Sequence, residues 1–133
     1  MLTLPRTLSL SPSQFAEVCA ANPEAVLELD TDGTLIEMTP TGGSNSSRNT
    51  RLLMCLQLWA DRQGDWNVFD SSGGFLLPDG SVRSPDASLV RLERWQALSQ
   101  AERDGFPPLC PDLVVELASP SDQPEALRLK MAS

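Results

Sequence analysis

Two carboxylates stand where carboxylates are expensive. Glu116 lies inside Asp112-Leu113-Val114-Val115-Glu116-Leu117-Ala118, a nearly continuous apolar run. A lone charge in such a run costs free energy unless it is paired, hydrogen-bonded or bound to a metal. Asp86 follows Pro85 at the entry of another extended segment, Ser84-Pro85-Asp86-Ala87-Ser88-Leu89-Val90. With the two-residue period of a strand, Asp112, Val114, Glu116 and Ala118 share one face, and Leu113, Val115 and Leu117 share the other. Two readings are open. In one, Glu116 is a strand-end carboxylate that reaches solvent or an arginine. In the other, carboxylates from adjacent strands form a divalent-metal site, and hard oxygen donors suit Mg2+ or Mn2+.

Other chemistries are excluded by what the chain lacks. It has no histidine among its 133 residues, so a Ser-His-Asp triad, a Cys-His protease and His-ligated zinc or haem are ruled out. The three cysteines, Cys19, Cys55 and Cys110, form no CxxC pair and read as buried thiols. The one lysine is Lys130; without further context it reads as a surface residue. A formal charge of −8 argues against non-specific coating of nucleic acid, which rests on Lys and Arg. It leaves room for an enzyme with a local basic cleft around an acidic metal site. No apolar run reaches the roughly 18 residues of a membrane span, and residues 1–10 lack the apolar stretch of a secretory signal. A cytoplasmic protein is the expectation.

The elements that must position these groups alternate between helix and strand. Ser11-Pro12-Ser13-Gln14 is a capping box with proline at the first helical position, which predicts a short helix to about residue 21. Residues 26–30 and 34–38 form a predicted hairpin around Thr31-Asp32-Gly33, since Asp-Gly is a strong turn signal. Pro40 to Ser47 reads as a polar loop. Leu52, Cys55, Leu56 and Trp59 recur at helical spacing, which predicts a helix over 47–63 that packs on a sheet. Short strands follow at 66–70, 74–77 and 84–90. Residues 91–103 read as a polar helix or helical turn anchored by Trp95 and Leu98. Residues 112–118, continuously apolar, read as a central strand, adjacent to 84–90. A last helix from about residue 124 breaks off at Ser133, so residues 1–133 read as one domain, incomplete at its C-terminal end. The class is α/β.

Several of these segments, in this order, resemble the Uma-type family of restriction endonucleases within the PD-(D/E)XK nuclease superfamily. They are Leu35-Ile36-Glu37-Met38-Thr39-Pro40-Thr41-Gly42-Gly43, Ser84-Pro85-Asp86-Ala87, the run from Phe106 to Leu117, Ser119-Pro120-Ser121-Asp122 and Leu129-Lys130-Met131. The resemblance implies a restriction-endonuclease-like mixed central sheet flanked by helices and Mg2+-dependent hydrolysis of DNA phosphodiesters. By motif, Asp86 matches the PD aspartate and Glu116 the acid of the next motif. The implied metal ligands are Asp86, Glu116 and a backbone carbonyl near Leu117, with Mg2+ or Mn2+ as cofactor. The simple superfamily pattern has a lysine two residues after the acid, where this chain has Ala118; Lys130 occupies the place on the following helix that the family resemblance assigns to that lysine. The acid or histidine that relatives carry after the Gly-Gly is here Ser44. The implied partners are DNA and a second copy of the chain, because two-fold enzymes cut both strands and an uncovered sheet edge favours pairing. The departures at Ser44 and Ala118 support an alternative, a catalytically degenerate nuclease-fold module that binds or dimerises.

Overall fold

A computed structural model of the protein describes residues 8–38 and 42–117. The chain opens with helix α1 (Pro12–Ala21), whose N-cap Ser11 and N3 residue Gln14 form the reciprocal capping box. The hairpin follows as β1 (Leu27–Leu29) and β2 (Leu35–Glu37), antiparallel, with Glu28 opposite Ile36. Gly33, at φ 85°, supplies the left-handed turn that L side chains resist.

Helix α2 (Gly43–Gln63) begins four residues earlier than expected, and Gly42 caps it without a side-chain bond. Asn45, Asn49, Leu52, Leu53 and Leu56 are half-buried and Ala60 is buried, which marks its inward face. Trp59 is more peripheral than its spacing suggested, 37% exposed, and its ring lies 5.7 Å from that of Trp66. Cys55 and Cys110 are exposed and Cys19 is half-buried, so the expectation of buried thiols fails for the first two.

The remaining strands are β3 (Trp66–Phe69), β4 (Phe75–Leu76), β5 (Val82–Arg83), β6 (Ala87–Arg91) and β7 (Leu113–Val115). Helices α3 (Leu92–Gln96) and α4 (Gln100–Asp104) lie between β6 and β7. Residues 91–103 thus form two helices rather than one, because Ser99 caps α4 in a second capping box with Glu102. Two sheets result, in the orders β2-β1-β5-β4 and β3-β6-β7. All their pairings among the described residues are antiparallel. As expected, the strands next to Asp86 and Glu116 are neighbours: β6 begins one residue after Asp86 and β7 ends one before Glu116. Among the described residues, however, β6 is the middle strand and β7 flanks it. The burial of Ala87, Ser88, Leu89 and Val90 on both faces fits that central place.

Two apolar clusters hold the layers together. Phe15, Leu29 and Val82 join α1 to the first sheet. Phe75, Val90 and Leu109 join β4 to the second, with Phe69 and Trp95 against them. The second cluster fixes the first sheet against the face of β6 that bears the candidate carboxylate.

Candidate active site

Asp86 is set by the turn that feeds β6. Pro85, buried, fixes one backbone torsion and removes a donor. The N–H of Ser84 donates to Oε2 of Glu28 at 2.6 Å. Glu28 is 1% exposed, so this carboxylate ties the hairpin to the residue two positions before Asp86 inside the protein. The bond is of the charge-assisted kind, about twice as strong as a neutral one.

Glu116 is set by the β6–β7 ladder. Ala87 pairs with Val115 and Leu89 with Leu113, and one further step of that register places Asp86 across from Glu116. The step is sealed by a hydrogen bond, in which the Leu117 N–H donates to Oδ2 of Asp86 at 2.7 Å. Both carboxylate residues are half-buried, and Glu116, like Asp86, is engaged rather than free. Strand alternation puts Asp86, Ser88 and Glu116 on one face. Ser88 is 1% exposed, and its Oγ lies buried without a hydrogen-bond partner.

At its start β7 is held by Asp112. Its Oδ2 accepts the Arg91 N–H at 2.9 Å and meets Nη1 of Arg94 at 2.9 Å. Burial pushes the Asp112 carboxyl up, but the Arg91 N–H, the Arg94 hydrogen bond and the two guanidinium charges outweigh it and hold it below its ordinary value.

The donor set fits a hard divalent ion. Two adjacent carboxylates are oxygen donors only, and Mg2+ is usually held by one or two carboxylates with waters and substrate phosphates. Among the described residues, no three acidic or cysteine side chains cluster to make a fuller cage. Leu117 faces Asp86 with its N–H. Ser44 is exposed in the first turn of α2, and the residue turned inward there is Asn45. Ala118, the Ser119-Pro120-Ser121-Asp122 segment, the last helix and Lys130 lie outside the described residues.

Glu28 was not marked by the sequence. In an alternating Leu27-Glu28-Leu29 strand the polar residue reads as solvent-facing, whereas Glu28 is 1% exposed and accepts the Ser84 N–H.

The fold is a mixed α/β one built on antiparallel sheets with flanking helices. Residues 12–133 match the sequence profile of the Uma2 family, described as "Putative restriction endonuclease", and the chain belongs to that family. No curated protein matches the sequence. Among solved structures the chain is similar to a protein from Anabaena variabilis, titled a "putative nuclease belonging to DUF820". That similarity has a TM-score of 0.69 at 16% identity, and covers 92% of this chain and 66% of the other. The chain therefore spans about two thirds of that neighbour's length, and the likeness is one of fold.

Proposed function

We propose that the protein is a divalent-metal-dependent DNA endonuclease in which Asp86 and Glu116 hold the metal. The observation that carries this reading is the 2.7 Å bond from the Leu117 N–H to Asp86, because it locks the strands bearing the two carboxylates in register. Asp86 and Glu116 would hold a Mg2+ or Mn2+ ion, which would supply Lewis-acid chemistry toward the phosphate. Asp86 keeps its second oxygen, Oδ1, for the metal while Oδ2 accepts the Leu117 N–H. Glu116 presents its carboxylate from the facing strand, and the Leu117 carbonyl is the third protein donor in this reading. Lys130 stabilises charge that develops on the phosphate in the transition state, or orients the attacking water. Residues 1–133 act as a nuclease-like domain, the enzyme works as a homodimer on DNA, and its place is cytoplasmic. No described helix is long and apolar enough to cross a membrane.

The test is nicking of supercoiled plasmid DNA in Mg2+ or Mn2+. Asp86→Asn, Glu116→Gln and Lys130→Ala are each expected to abolish it, and undiminished cleavage by Glu116→Gln would remove that residue from the site. A degenerate binding or dimerisation module is favoured by the exposed Ser44 and the absence of a three-carboxylate cluster among the described residues. That reading is supported if no divalent metal raises the melting temperature, since an ion that binds only the folded state must stabilise it.

A further inference from the structure

A cavity of about 460 Å³ opens along the outer edge of β3, between α2 and the α3–α4 pair. Its size falls in the roughly 300–1,000 Å³ range of small-molecule sites. Phe69 and Trp95 form an aromatic wall, with ring centroids 5.1 Å apart. Arg103 lies over the Trp95 ring at 5.9 Å. Its guanidinium is held in place by two backbone carbonyls, Nε donating to Trp95 at 3.3 Å and Nη2 to Gln96 at 2.9 Å.

This cation differs from its neighbours. Arg83, Arg91 and Arg94 are ion-paired with Asp30, Asp65 and Asp112, whereas Arg103 has no ion pair among the described residues. Of its five N–H groups, those not spent on Trp95 and Gln96 remain for an incoming acceptor. Two further polar groups line the cavity with capacity in hand. Asp70 accepts from Ser72 through Oδ1 alone, which leaves Oδ2. Gln57 donates one amide N–H to Asp61, which leaves its oxygen and its second N–H. A rigid positive plate, an aromatic wall and two acceptors together match a nucleotide: stacking and phosphate charge on one side, base-edge donors on the other.

The cavity also has the right address. Phe69 pairs with Ser88 across the β3–β6 ladder, and Asp86 is two residues from Ser88, about 7 Å along the strand. By strand alternation Phe69 and Asp86 lie on the same face of the sheet. We infer that this cavity receives one nucleotide of the substrate strand beside the scissile phosphate, its base against Phe69 and Trp95 and its phosphate on Arg103. The inference rests on the nuclease reading for its location, while its chemistry stands on the cavity.

The four deoxynucleoside 5′-monophosphates test this by tryptophan fluorescence with the full chain in EDTA, where no metal chemistry takes part. Saturable quenching is expected for each of the four. Arg103→Met is expected to weaken binding roughly tenfold, the scale of one stacked or charge-held group. Because Arg103 also ties down Trp95 and Gln96, exposed Gln57→Glu serves as a second variant. It leaves those contacts alone and adds a negative charge to the cavity lining, with an expected severalfold loss for an anionic nucleotide. No saturable quenching by any of the four, or equal affinity in wild type and Gln57→Glu, overturns the inference. Nucleotide binding by a protein that cuts no DNA would sink the nuclease reading and leave the cavity's ligand standing; cleavage without nucleotide binding would do the reverse.

Discussion

Replacing Glu28 by glutamine and by alanine separates the shape of the Asp86 support from its charge. Glutamine keeps an acceptor for the Ser84 N–H, now 2.6 Å from the carboxylate, but exchanges a charge-assisted bond for a neutral one. With bonds to charged groups contributing about 1.5–3 kcal/mol and neutral ones about 0.5–1.5, the expected cost is about 1 kcal/mol. Alanine leaves the N–H without that acceptor, which costs about 1–3 kcal/mol, and empties the volume of a side chain that is 1% exposed. Its total is expected at about 2–4 kcal/mol. Urea denaturation at constant slope gives both values. The Asp86 turn is tethered through Ser84, so the stabilisation gained from saturating Mn2+ is also expected to shrink in the alanine variant. If Glu28→Ala costs no more than a surface substitution, about 0.5 kcal/mol or less, Glu28 does not anchor this turn and the reasoning fails.

Three other outcomes are expected. Asp112 has a lowered folded pKa, so its contribution is present above the unfolded carboxylate range and is lost as pH falls through about 4 and below; urea titrations at stepped pH should show a shallower acid loss in Asp112→Asn. Gly74→Ala would bring a Cβ to 2.9 Å from Val82 Cγ1 and 3.3 Å from Phe106, an overpacking cost of about 1–3 kcal/mol that thermal melts would reveal. Ser99→Ala removes the α4 cap at about 1 kcal/mol, and a melting point equal to wild type would show that α4 does not depend on it.

Local chemistry made part of this fold legible. The Ser11–Gln14 box and the Asp32-Gly33 turn each have a short-range signal that tertiary packing reinforces, whereas the adjacency of the segments carrying Asp86 and Glu116 is long-range and was implied by the family resemblance. The early start of α2 had none, because Gly43, Ser44 and Asn45 are weak helix formers and Gly42 gives no side-chain cap. The two-residue strand β5 is too short for a period to show. Residues 112–118 read as a middle strand because apolar continuity usually reports burial on two faces, yet Leu113 is 48% exposed and Val114 and Val115 are half-buried. Glu28 was hidden for the opposite reason: alternation reports an exposed face unless a distant turn covers it. The cavity beside β3 draws on β3, α2, α3 and α4, and no segment alone carries its pattern.

The central claim is that Asp86 and Glu116 together hold a catalytic divalent ion. Calorimetric titration of Mn2+ into wild type, Asp86→Asn and Glu116→Gln, each checked for an unchanged circular dichroism spectrum, tests it most directly. The account expects saturable binding to wild type and a loss of at least tenfold in affinity in each folded variant. Equal affinity in all three proteins, or no binding to wild type, would contradict it.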